Sequence, residues 1–261
     1  MLKNLQPTTY NLQPTTYNLQ PTTYNLQPTT YNLQPTTYNL QPMPKSSSLI
    51  KTLIAIVILS LPFVYAIMIH DALPESIPTH FGINGEPDAY GDRDSIYLGP
   101  AILGGVGLLV FLLINNLQVI DPKRYQNADS SIFGKLAFFM VIFMSALGTF
   151  IVHASAHPGA KVINNMFPLL GILFAVMGYF MPKIKPNYFV GLRLPWTLSS
   201  DENWEATHKI AGKWWLYGGI AQAVLGFILP TKYALIVFFI ITAIIVAVPS
   251  VFSYRMFKRE E

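Results

Sequence analysis

Residues 187–209 read NYFVGLRLPWTLSSDENWEATHK. The stretch is polar, aromatic and rich in turn formers, yet it lies between two long apolar runs, residues 162–181 and 213–229. Four further runs of that kind cover residues 49–69, 96–117, 134–152 and 233–254. Roughly 20 apolar residues cross a bilayer, so the chain reads as six membrane spans. Composition agrees: 52% of residues are hydrophobic and 11% charged, against about 25% charged in soluble domains. The first run ends near Val64-Tyr65-Ala66, which resembles a signal-peptidase site. It is longer than a usual signal core, and five runs follow, so it reads as an uncleaved anchor. The expected fold is an all-α membrane protein: a six-transmembrane-helix bundle with a small extracytoplasmic cap loop and a disordered N-terminal repeat tail.

Just before and within the opening stretch, Pro186 and Pro195 interrupt helices and Gly191 marks a turn. Ser199 followed three residues later by Glu202 is a capping-box pattern. No breaker follows until Pro230, and Trp204, His208, Ala211 and Trp215 recur at helical spacing. The pattern predicts one long helix whose first part lies at the membrane surface, with Trp214 and Trp215 at the interface. Asn187, Arg193, Trp196 and Trp204 then gather beneath the bundle. Arg193 reads either as an anchor for a carboxylate (Asp201 or Glu205) or a lipid phosphate, or as a snorkelling interfacial side chain. His208 lacks the nucleophile and orienting group that general-base catalysis needs, and reads as a helix-face histidine bonded to backbone.

Lys and Arg placement sets the orientation. With the N-terminus inside, only Arg93, Lys161 and Lys232 fall outside, and the other cations are cytoplasmic. Both termini are therefore expected in the cytoplasm, and residues 187–209 with them. No Asp, Glu, Arg or His occupies the middle of a span. Ion-coupled transporters usually need such groups at depth, so a small-solute membrane transporter is the alternative and not the leading reading. Small residues recur four apart at Gly171 and Ala175, at Gly218, Gln222 and Gly226, and at Gly219 and Ala223, as close helix packing requires. Pro62, Pro168 and Pro249 sit inside spans, where they are expected to kink the helices.

The largest outer loop, LPESIPTHFGINGEPDAYGDRD at residues 73–94, is acidic. Asn84-Gly85 is a tight-turn signal, so a hairpin or compact cap is expected, with His80 and Asp88 hydrogen-bonded inside it. His80, Glu86 and Asp88 match no metal-site spacing. An acidic outer face attracts a cationic peptide. The chain has no cysteine, which excludes disulfides, zinc-thiolate sites and thiol catalysis.

NLQPTTY is repeated five times in residues 4–38, with a partial copy up to Pro42. Proline in every repeat opposes a coiled coil, and the uncharged repeat is expected to be disordered. Met43, which opens a good membrane segment, is the expected natural start.

The two loop motifs together resemble the SdpI-like family of bacterial integral membrane proteins. The outer one, LPESIPTHFGINGEPD, is similar to a domain of unknown function that precedes SdpI modules. The inner one carries Asn187, Gly191-Leu192-Arg193, Trp196-Thr197-Leu198, Trp204, His208 and Gly212. The resemblance implies a bacteriocin immunity protein that protects against a secreted toxin peptide and signals to a cytoplasmic repressor protein. It implies no enzyme activity, cofactor, metal or nucleic-acid partner. The expected partners are membrane lipid, a cationic toxin peptide outside and the repressor inside. The implied organisation is a repeat (residues 1–42), a membrane domain with the outer motif (43–125) and an SdpI-like membrane domain (126–261). Candidate functional residues are His80, Asn84, Gly85, Glu86 and Asp88 outside, and Asn187, Gly191, Arg193, Trp196, Trp204 and His208 inside.

Overall fold

The structure, a computed structural model, describes residues 45–120, 130–157, 162–187 and 189–260. The repeat tail, the start at Met43 and the domain division at residue 125 lie outside the described residues. Six long helices form the body: α1 (Lys45–Ile69), α2 (Leu98–Asn115), α3 (Ser130–Ala156), α4 (Val162–Phe180), α5 (Asp201–Ile228) and α6 (Thr231–Glu260). A two-stranded antiparallel hairpin, β1 (Ser76–Phe81) and β2 (Pro87–Asp92), joins α1 to α2.

Every long helix except α5 is long and apolar enough to cross a membrane. α5 is more polar because its first turns carry Asp201, Glu202, Glu205, Lys209 and Lys213, and its later turns carry glycines and Gln222. It still packs along α4 on one side and α6 on the other, and so completes the six-helix bundle. Large apolar side chains such as Leu109, Phe227 and Phe239 are exposed around the bundle. A soluble protein rarely leaves so much contiguous apolar surface uncovered, whereas lipid solvates it. The chain is a multi-pass membrane protein.

The helices associate in two groups. α1, α2 and α3 pack together, and α4, α5 and α6 pack together. In the second group α4 and α5 touch backbone to backbone. A Cβ added at Gly171 would lie 2.7 Å from the Gly219 carbonyl oxygen, and one added at Gly219 would lie 2.6 Å from that of Gly171. Gly178 meets Trp215 and Gly212 in the same way one and two turns along. Small residues allow this approach where lipid provides no hydrophobic drive between helices, and the pairing matches the spacing of Gly171, Ala175, Gly219 and Ala223.

Helices α1, α4 and α6 continue through Pro62, Pro168 and Pro249. A helical proline leaves the carbonyl four residues earlier without its donor. For Pro62 that carbonyl is Ile58, and Ser145 of α3 donates its hydroxyl to it at 2.7 Å. For Pro249 it is Ile245, and the Trp215 indole of α5 donates to it at 3.0 Å. These two freed carbonyls thus tie pairs of helices together.

At the hairpin end, Ile77 of β1 is fully buried against Ala66, Leu73, Ile96 and Val152, which seats the hairpin on α1 and α3. At the other end the two helix groups share one core. Leu117, Phe133 and Leu136 from the first group meet Phe180, Ile184 and Trp204 from the second.

Candidate functional site

The inner candidates form a folded platform at that second end. Its central residue is Asn187, almost fully buried in a segment without regular structure. Its amide group donates to the carbonyls of Lys185 (2.8 Å) and Val190 (2.9 Å). Its side-chain oxygen accepts from the N–H groups of Phe189 (2.8 Å) and Val190 (2.7 Å). One side chain therefore replaces the ladder that a buried irregular loop lacks. Thr197 works in the same way further on, accepting from the Leu194 N–H and donating toward the carbonyls of Leu192 and Leu194.

Gly191 follows with φ +119°, a backbone region that favours glycine. A Cβ there would also collide with the His208 ring and lie 3.1 Å from the Trp204 ring. Those rings stack with centroids 4.0 Å apart. The Trp204 indole donates to the Ile184 carbonyl at 2.8 Å. His208 Nδ1 lies 2.8 Å from the Trp204 carbonyl, and its Nε2 accepts from the Leu192 N–H at 3.0 Å. A nitrogen facing an N–H must be unprotonated, so the ring is neutral with its proton on Nδ1. Burial pushes its pKa down to about 4, opposed only in part by the bond to the Trp204 carbonyl. Both nitrogens are committed to backbone, as the sequence reading expects for His208.

Below this, Ser200 and not Ser199 caps α5. Its hydroxyl accepts from the Asn203 N–H at 3.1 Å. The expected capping box is displaced because Pro195 starts a one-turn helix, Pro195–Ser199, which absorbs Ser199. Trp196 on that turn packs against Tyr254 and Phe257 of α6. Arg193 is exposed on the platform surface. Glu205, one of the carboxylates offered to it, bonds Lys185 at 2.8 Å. That ammonium lowers the Glu205 pKa, chiefly through the hydrogen bond.

The sequence reading missed a buried network at this end. Asn203, fully buried, donates to the Ser253 carbonyl at 3.0 Å and accepts from the hydroxyls of Thr207 (3.0 Å) and Ser253. Asn203 and Thr207 stand four apart on α5, a spacing that puts both on one face and would have indicated a polar contact. The Ser253 partner, 50 residues later, gives no local signal.

The outer candidates sit together at the hairpin tip. Gly85 has φ +83°, the Gly82 N–H bonds the Glu86 carbonyl at 2.8 Å, and Asn84 bonds the Glu86 carboxylate at 2.6 Å. His80 and Asp88 pair as expected, but on the exposed surface of the cap and not within it. Among the described residues no group of three His, Asp or Glu side chains could hold a metal. The outer and inner sets lie at opposite ends of the bundle. Under the hairpin, a crevice of about 390 Å³ opens between Phe81, Ile83, Ile151, Met166 and Phe239.

Residues 183–253, the platform with α5 and most of α6, match the SdpI/YfhL protein family. Residues 57–104, which include the hairpin, match a domain of unknown function (DUF1648). Both matched segments are similar to SdpI-like proteins. The chain is 23% identical over 209 residues to the immunity protein SdpI of Bacillus subtilis (strain 168), covering 80% of this chain and 97% of that protein. An uncharacterized protein of Archaeoglobus fulgidus is 34% identical over 70 residues, 27% of this chain and 38% of that one. No solved structure matches the chain. The SdpI-like segment begins just before Asn187 and ends at Ser253, so it holds the platform and the helix pair beneath it.

Proposed function

We propose that the chain is an integral membrane immunity protein that protects a bacterium from a secreted toxin peptide, with both termini in the cytoplasm. The observation that carries this reading is the likeness to the immunity protein SdpI along nearly all of that protein's length. The two ends of the bundle support it. The cap carries Glu75, Glu86, Asp88, Asp92 and Asp94 against Arg93, a charge balance that draws a cationic peptide to the outer face. The crevice beneath it gives such a peptide apolar surface to bury. At the other end the platform offers exposed Arg193, Lys185 and Glu205 on a rigid base, a suitable surface for a repressor protein. Binding, not catalysis, is the mode of action. The buried histidine of the platform, His208, has both nitrogens engaged with backbone groups, so that ring is held as a structural element. A small-solute transporter has no observation of its own in its favour.

The test is survival. A sensitive bacterium expressing the full chain is challenged with the secreted peptide against which SdpI gives immunity, beside cells expressing SdpI and empty cells. Protection above empty cells at matched membrane levels supports the reading, and killing equal to that of empty cells overturns it.

A further inference from the structure

A second concave surface, lined by none of the crevice residues, lies between α5 and α6. It is a trough of about 510 Å³ between the two helices. Gly218 and Ala221 of α5 form its floor, with Ile241, Ile244 and Ile245 of α6 along the other wall. The floor is low because Gly218 has no side chain, and Ile245 presses directly on it. Tyr217 and Trp214, both exposed, flank the mouth, and Lys213 closes the end nearest the platform.

Lys213 is not alone there. Lys209 precedes it by one helical turn, about 6 Å along the axis, on the same face of α5. Both are exposed, and among the described residues neither forms an ion pair or hydrogen bond. Glu205, the next acidic group along that face, is held by Lys185 at 2.8 Å. Two like charges four apart on a helix repel, and an anion held between them removes that cost. This surface thus combines an apolar groove between two helices, a Trp and a Tyr of the kind that favours the headgroup region, and two exposed ammonium groups, Lys213 at the end of the groove and Lys209 one turn beyond it.

We propose that this trough binds one anionic phospholipid, with its phosphate between Lys209 and Lys213 and one acyl chain along Gly218 and Ala221. The lipid belongs to the leaflet at the platform end of the bundle. Charge complementarity selects the headgroup, and the apolar floor accepts a chain but no charged peptide. The site is independent of the immunity reading, since it uses neither the cap nor the crevice.

The test uses the full chain, purified in a mild detergent, and native mass spectrometry with phosphatidylglycerol or phosphatidylcholine of identical acyl chains. The wild type is expected to retain phosphatidylglycerol preferentially. Lys209→Gln and Lys213→Gln should each reduce that preference about fivefold, the factor given by roughly 1 kcal/mol per lysine near an anionic surface. Ala221→Phe, which fills the trough and leaves both lysines, should reduce retention of both lipids. Inorganic phosphate in excess should not displace the lipid, because it cannot occupy the apolar floor. Equal retention of the two lipids by the wild type, unchanged preference in the double lysine variant, or a protein dimer that excludes lipid from α5 and α6 would each overturn the proposal. Variants are compared only where elution volume and helical signal equal those of the wild type. If Ala221→Phe fails this check, the lysine variants alone decide.

Discussion

The indole N–H of Trp215 points at the carbonyl of Ile245, 3.0 Å away, and that carbonyl has no helical donor because Pro249 stands four residues later. The proline of one helix and the tryptophan of its neighbour are therefore one interaction. Trp215→Phe should destabilise the bundle by about 1–3 kcal/mol, the cost of an orphaned buried carbonyl. Pro249→Ala restores an N–H to α6 and should remove most of that penalty from Trp215→Phe. Thermal unfolding of the single and double variants in detergent measures the coupling. Strict additivity would show that the two residues act separately.

The seam between α4 and α5 predicts a contrast among glycines. Gly219→Val places atoms against the Gly171 carbonyl and the Ala175 backbone and should destabilise by about 3 kcal/mol or more. Gly105→Val on α2, where an added Cβ meets nothing within 4 Å, should change stability by no more than about 1 kcal/mol. Equal melting temperatures for the two variants would remove the seam from the account of stability.

The neutral ring of His208 predicts a pH dependence. Its folded pKa, about 4, lies below the ordinary 6.5, so the unfolded chain binds the extra proton first as pH falls. Stability from this group is complete above pH 6.5, is lost between pH 6.5 and 4, and levels off below. The total is roughly 3 kcal/mol at 1.36 kcal/mol per pH unit. Melting curves between pH 7 and pH 4 should show that slope in the wild type and a shallower one in His208→Gln. Parallel slopes would assign the acid sensitivity to other groups.

The proposed orientation is open to a labelling experiment, since the chain has no cysteine of its own. Glu86→Cys at the hairpin tip and Glu202→Cys on the first turn of α5 both replace exposed residues. A membrane-impermeant thiol reagent added to whole cells should label the first and not the second. The reverse pattern would turn the cap inward and the platform outward.

Much of the fold was legible because its causes are local. Long apolar runs specify spans, and small residues four apart specify contact faces, so Gly171 with Ala175 and Gly219 with Ala223 stood out in their own helices, although their pairing with each other needed the coordinates. Asn84-Gly85 announced the turn of the hairpin. The misplacement of the α5 cap was a one-residue error between adjacent serines, decided by Pro195 starting a separate turn. The contacts that escaped notice are those whose partners are remote in the chain. Ser145 meets Ile58 and Asn203 meets Ser253 only once the bundle has assembled. In the platform, the residue types at Asn187, Gly191, Trp204 and His208 were conspicuous in the sequence. Their mutual bonding was not, because backbone carbonyls and N–H groups supply half of it and these are invisible in a string of side chains.

Along the seam of Gly171, Gly178, Gly212 and Gly219 the backbones of α4 and α5 touch with no side chain between them. Such a seam favours movement of the pair as one beam. Met166 and Phe167 near the start of α4 line the outer crevice, while Trp204 and His208 near the start of α5 build the platform at the opposite face. A helix of 28 residues spans about 42 Å at 1.5 Å per residue. A tilt of the beam as one body would move its crevice end and its platform end in opposite senses.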